Sequence, residues 1–281
     1  MVDRLATLMA RFPVSARVFN AGRTCGTVVL GADGVHGQLH LVRGGVVEVV
    51  HGTDVLRVDR PSALLFPRPL SRCFVGDGPQ GADMVCAHLS FEGGAGHPVA
   101  AALPDMVCLE LARLHGAAPV LALLFEEAFD RRCGRIALVE RLFDVVMILV
   151  LRELMESGGM RGGLLSGLSH PRLRNALVAI HEAPARAWTL EALADAAGMS
   201  RSAFATAFRE AVGTTPGQYL QGWRIGLAQQ ALRRGRALKT IAADVGYGSE
   251  AALSRAFKAQ CGLSPRAWRQ AGSGRDAEAA A

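Results

Sequence analysis

Apolar positions change period along this chain. From about Cys25 to Phe91 they gather in short β-prone runs, TVVLG, GQLHLV, VVEVV, ALLFP, RCFVG and MVCAHLSF, cut by Gly, Asp and Pro at intervals of roughly ten residues. That spacing predicts an antiparallel sandwich or barrel. From Leu103 to about Met155 the period becomes helical: Pro104 opens one candidate helix, PDMVCLELARLHG, and Gly134 precedes a longer one, RIALVERLFDVVMILVLRELMES. In the longer segment Ile136, Val139, Phe143, Val146 and Val150 form one apolar stripe, and Leu138, Leu142, Val145 and Leu149 form a second. A helix apolar on two faces buries both. The second stripe is therefore a candidate homodimer interface, the other reading being a helix enclosed by its own domain.

Glycines at 158, 159, 162, 163 and 167 predict a flexible linker over 158–169. The expected fold class is α+β. A β-sandwich or barrel with trailing dimerisation helices spans 1–157, an all-α domain spans 170–271, and a disordered tail spans 272–281.

The all-α block contains an internal repeat. LEALADAAGMSRSAFATAFREAVGTTPGQY, from Leu190, aligns with LKTIAADVGYGSEAALSRAFKAQCGLSPRAW, from Leu238. Ala194 and Gly198 recur 48 residues later as Ala242 and Gly246; after a one-residue insertion, Phe204, Phe208, Gly213, Pro216 and Tyr219 recur as Leu253, Phe257, Gly262, Pro265 and Trp268. Each copy has the pattern of a helix-turn-helix: a small Ala where two helices cross, a Gly able to take the left-handed turn, and bulky apolar residues locking the second helix down. Ser200 and Ser249 stand as N-caps of the second helices, and Thr215-Pro216 and Ser264-Pro265 as cap and first turn of the next ones. The outward positions are small, polar or basic: Arg201, Ser202, Ala205, Thr206 and Arg209 in the first copy, Glu250, Ala251, Ser254, Arg255 and Lys258 in the second. A helix of that kind enters a major groove and reaches phosphates on its rim.

Composition adds where the charge sits. With 281 residues, 50% hydrophobic and 20% charged, the chain is globular and long enough for two domains, which excludes disordered and collagen-like classes. The net charge is +6, yet residues 170–270 carry 14 Lys+Arg against 6 Asp+Glu while residues 1–169 carry 16 against 17. The basic excess lies on the repeat, as a polyanion reader requires.

The stretch Tyr219-Leu220…Trp223-Arg224…Ala228…Ala231-Leu232, followed by IAADVGYGSEAALSRAFKAQCGLSPRAWR, resembles the signature of the AraC/XylS transcription regulators over roughly residues 170–270. The resemblance implies two helix-turn-helix units bridged by a long helix, placing recognition helices in successive major grooves of double-stranded DNA. At the matched positions, base contacts fall to Ser202, Ala205, Thr206, Glu250, Ala251, Ser254 and Arg255, and phosphate contacts to Arg201, Arg209, Arg224 and Lys258. Ala205 and Ala251 stand where family members often carry larger side chains, so they offer only a methyl contact, while Arg255 is able to bind guanine bidentately. Arg255 on a phosphate or in an ion pair within the domain is the other reading. RNA polymerase is a candidate second partner.

The N-terminal half is similar, more weakly, to the cupin-like regulatory domain of one AraC subgroup, which implies control by a small ligand or an oxidant and no catalysis. A metal-dependent cupin enzyme fused to a DNA-binding module is the alternative. His36 and His40 stand four apart, with His51, His88 and His97 following, but Pro69-Leu70-Ser71-Arg72 occupies the turn where that fold often supplies another His. The expected metal set is incomplete, no cofactor is expected, and His40 is read as packed or hydrogen-bonded. Six cysteines without a CxxC pair, no apolar h-region at the N-terminus and a longest apolar run of only Val145 to Leu151 predict a cytoplasmic protein without a membrane span. Cys25 follows Arg23, and an adjacent cation makes a thiol more reactive. The resemblance extends to a redox-responsive branch whose cysteines match Cys25 and Cys86 in context, with capture of oxidised Cys25 by Cys86 or Cys73 as the implied switch.

Overall fold

The computed structural model describes residues 3–30, 36–76, 81–91, 97–130, 132–157 and 162–278. These form two units, Pro13–Met160 and a second that joins Met1–Phe12 to Arg161–Ala281. Along the chain a short helix, α1 (Ala6–Arg11), precedes strands β1 (Val14–Thr24), β2 (Gly26–Leu30), β3 (Gly37–Gly45), β4 (Val47–His51), β5 (Asp54–Val58), β6 (Ser62–Phe66), β7 (Arg72–Gly76) and β8 (Ala82–Phe91). Helix α2 (Pro98–Ala102), strand β9 (Val107–Glu110) and helices α3 (Ala118–Phe129) and α4 (Arg135–Glu156) complete the first unit.

Its two sheets are antiparallel, with orders β1-β8-β3-β6-β9 and β2-β7-β4-β5. Period-two alternation sends Arg72 and Phe74 of β7 inward and Cys73 outward, and Met84 and Cys86 of β8 into the same core as Val49 and Phe66. His40 is wholly buried there, with Nε2 3.1 Å from Gln38 Oε1 and its ring beside those of Phe66 and Phe74. Burial, then the Arg72 guanidinium, holds its pKa well below the ordinary histidine value, so it packs as a neutral ring. Among the described residues no group of three His, Cys, Asp or Glu side chains is disposed to hold a metal.

Helix α4 covers the edge strand β1. Asp144 Oδ1 accepts from Ala16 N at 3.1 Å and Glu140 Oε1 from Val18 N at 3.3 Å, so the edge amides are satisfied by helix carboxylates. Val139, Phe143, Val146 and Val150 are buried, whereas Ile136, placed in the same stripe by its spacing, is 57% exposed. On the second stripe Leu138 and Val145 are exposed and Leu142 and Leu149 half-buried.

The structure corrects four sequence-based boundaries. PDMVCLELARLHG is not a helix: its apolar spacing also fits a period of two, and Val107 and Leu109 turn inward on β9, which pairs with β6 before a single 3-10 turn, Leu111–Arg113. The expected linker contains a packed helix, α5 (Leu164–Ser169), because Leu164, Leu165 and Leu168 find a core; Gly158 and Gly159 lie outside the described residues. Residues before Pro13 belong with the helical unit, since Leu8 is buried there and the Phe12 ring packs 4.9 Å from that of Trp223. The remaining helices are α6 (Leu173–Glu182), α7 (Leu190–Ala196), α8 (Arg201–Val212), α9 (Pro216–Arg233), α10 (Leu238–Asp244), α11 (Glu250–Cys261) and α12 (Pro265–Glu278). The last runs into the stretch expected to be a disordered tail. No helix among the described residues is long and apolar enough to cross a membrane.

Candidate nucleic-acid interface

Two helix pairs, α7–α8 and α10–α11, flank the long helix α9. Their starts are set by side chains. Ser200 Oγ accepts from Ala203 N at 3.4 Å, Ser249 Oγ from Ala252 N at 3.1 Å, and Thr215 and Gln218 form a reciprocal capping box at the start of α9. Phe204, Phe208, Leu253 and Phe257 are fully buried on the inner faces. The duplication extends to packing: Tyr219 lies edge-on to Phe208 in one copy as Trp268 lies edge-on to Phe257 in the other.

The opposite faces are open. Ser202, Thr206, Glu250, Ala251 and Arg255 are exposed, and Ala205 and Ser254 half-buried, along one side of α8 and α11. Arg209 and Lys258 stand exposed in the last turns of those helices. Arg255 makes no ion pair among the described residues, so the intradomain pairing considered for it is not seen. Arg201 does pair, its Nη1 lying 2.6 Å from Glu191 Oε1, with both side chains more than half exposed.

Arg224 is not disposed as a phosphate ligand. Its Nε donates to Pro184 O at 2.8 Å, Nη2 to Arg186 O at 2.8 Å and Nη1 to Gly246 O at 3.2 Å. Burial lowers its pKa from the usual arginine value. The sequence signal against a surface role was its position between Trp223 and Ile225, both buried on α9.

Sequence reasoning also passed over His181. Its Nε2 lies 2.6 Å from the Tyr219 hydroxyl and its ring stacks on Trp223 at 3.9 Å. Burial, with a smaller contribution from Arg11, pushes its pKa down to about 3, and burial pushes the Tyr219 phenol up.

The cysteines are not brought together. Cys25 is exposed at the junction of β1 and β2; Cys86 is buried and its thiol pushed up to about 12 by burial; Cys73 faces out of the other sheet. Thr24 pairs with Ala82, which leaves Cys25 more than four strand positions, at least about 13 Å, from Cys86. Arg23, expected to activate Cys25, is committed to Asp83 at 3.0 Å, a carboxylate that also holds Arg43 at 2.8 Å.

Residues 3–156 match the family model of a cupin domain and residues 193–271 that of a helix-turn-helix domain. An HTH-type transcriptional regulator of Haemophilus influenzae is 31% identical over 243 residues, covering 83% of this chain and 80% of its own. A putative AraC-like transcription regulator of Streptomyces lividans is 41% identical over 152 residues, 53% of this chain and 50% of its own. The RCS-specific HTH-type transcriptional activator RclR of Escherichia coli is 35% identical over 148 residues, 52% of each chain. The chain spans about half the length of the first curated relatives it matches, between 45% and 57%.

Proposed function

The chain belongs to the AraC/XylS family of transcription regulators, with a cupin N-terminal domain, and from that premise we propose that it reads duplex DNA in a sequence-specific manner with α8 and α11 and does no catalysis. One observation carries the reading: two duplicated, capped helices, each buried on its aromatic or aliphatic side, turn small, polar and basic residues outward. Ser202, Ala205, Thr206, Glu250, Ala251, Ser254 and Arg255 contact base edges. Arg209 and Lys258 bind phosphates, and Arg201 joins them by exchanging Glu191 for a phosphate oxygen. The exposed Leu138 and Val145, with Leu142 and Leu149, form the homodimer contact. The protein works in the cytoplasm, with RNA polymerase as its second macromolecular partner.

Selection of binding duplexes from a random pool is expected to return a defined motif. Arg255→Ala then loses about 1 to 3 kcal/mol of discrimination at one base pair and little elsewhere. Unchanged preference in that variant removes Arg255 from base readout; a pool with no enriched motif means nonspecific binding and overturns the reading.

Control enters through the cupin unit, by a small ligand or by oxidation of the exposed Cys25. A two-electron oxidant converts the Cys25 thiol to a sulfenic acid, and capture by Cys86 or Cys73 follows only after the strands rearrange, releasing water as the disulfide forms. Mass spectrometry after brief oxidant treatment is expected to find Cys25 modified while the protein is still folded. Modification of Cys25 only once the protein has unfolded ends the oxidant branch and leaves the ligand branch.

A further inference from the structure

One guanidinium ties the entry to the first helix pair to the turn of the second. Pro184 and Arg186, which accept from Arg224 Nε and Nη2, lie in the segment leading from α6 into the first helix pair; Gly246, which accepts from Nη1, is the turn of the second. Arg224 itself projects from the middle of the helix joining the two pairs. The same segments touch directly, since a Cβ on Gly246 would lie 2.7 Å from both Cα and O of Ala185. The leading segment is braced from its other side: Trp188 Nε1 donates to Ala183 O at 2.9 Å, and the Arg186 guanidinium lies 4.2 Å over the Trp188 ring.

From this geometry we infer that Arg224 is a positioning residue that sets the spacing the protein accepts between its two DNA boxes. The inference rests on the reading of α8 and α11 as groove-binding helices. A planar guanidinium with donors in a fixed fork holds three carbonyls from three directions at once, which the point charge of a lysine does not reproduce. Helix α9 also packs on α8, α10 and α11, so each pair stays folded when the tie is lost, and what the loss loosens is the hold of the entry to the first pair on the turn of the second. Boxes read from one face of the duplex repeat about every 10.5 base pairs, and one inserted pair turns the second box by roughly 34°. A rigid reader rejects that rotation, whereas a hinged one follows it.

The probe is the duplex that the full-length wild-type chain selects from a random pool, together with derivatives carrying one base pair more or fewer between the boxes. Wild type is expected to lose about tenfold or more on either derivative, the cost of a typical mismatch. Arg224→Met is expected to bind the selected duplex about tenfold more weakly and to show a spacing penalty within about threefold, with the salt dependence of binding unchanged. Lys258→Ala, as the phosphate control, keeps the wild-type spacing penalty and lowers the salt slope by about 1. Arg224→Met with the wild-type spacing penalty, or with a salt slope lowered by about 1, overturns the inference. Should Arg224→Met fail to fold, as read by tryptophan fluorescence, Arg224→Lys takes its place, keeping the charge without the fork, and must show the same relaxed spacing. A wild-type chain that selects no two-box site refutes the underlying reading instead.

Discussion

Gly246→Ala is expected to destabilise the helical unit by about 3 to 4 kcal/mol, while Gly198→Ala, its counterpart in the other copy, costs only about 1 to 2. Both glycines hold positive φ, +86° and +62°, where an L side chain meets its own backbone. They differ in what lies beyond. Nothing stands within 4 Å of a Cβ built on Gly198, so the first turn carries the conformational cost alone. A Cβ on Gly246 meets two backbone atoms of Ala185 at 2.7 Å and Arg224 Nη2 at 2.9 Å. The arginine end can shift only by surrendering a carbonyl, and the backbone cannot shift without moving the entry to the first helix pair. Urea unfolding followed by tryptophan fluorescence isolates the effect, because Trp188, Trp223 and Trp268 all belong to the helical unit. Equal costs at the two glycines would show that the close approach of Ala185 is not sustained in solution.

Acidification is expected to weaken the same unit through His181. Its folded pKa of about 3 lies below the ordinary value of 6.5, so below pH 6.5 the unfolded chain takes up a proton that the native ring does not. The stabilisation is complete above pH 6.5 and is lost as the pH falls toward the folded value. The slope is about 1.4 kcal/mol per pH unit, or about 3 kcal/mol between pH 6.5 and pH 4. The cause is local: the ring is fully buried, stacked on Trp223, and its Nδ1 has no hydrogen-bond partner among the described residues to stabilise a charge. His181→Phe keeps an aromatic plane against Trp223 and removes the titration. That variant is expected to be less stable at pH 7, since Tyr219 loses its partner, but to lose far less between pH 6.5 and pH 4. An unaltered slope in urea midpoints would assign the acid sensitivity to carboxylates.

The two helix-turn-helix units were legible before any tertiary information. Caps act over three residues, the left-handed turn is a property of one glycine, and an inward aromatic repeats with the helix, so Ser200, Gly198 and Phe204 and their partners declare the unit locally. Duplication made the pattern decisive, because a chance match to a short motif rarely recurs 48 residues later. Most of the sheet strands were equally visible, each being a short apolar run closed by a turn residue. Strand β9 was misread because VCLE satisfies both periods; only an unpaired edge on β6 chose between them.

What tertiary structure decided was the fate of groups whose partners lie far along the chain. Arg224 looked like one more cation on a basic domain until carbonyls at positions 184, 186 and 246 claimed it. Arg23 looked like a partner for Cys25 until Asp83 paired with it. Residues before Pro13 looked like part of the N-terminal β domain, and the glycine-rich stretch after 161 like a linker, until buried faces of the helical unit received Leu8 and Leu165. By itself, the sequence determined which segments become the duplicated helix pairs and that the positive charge lies with them. Hydrogen bonds and ion pairs are satisfied by proximity in space, so the sequence shows which groups need a partner and only the fold shows which one they have.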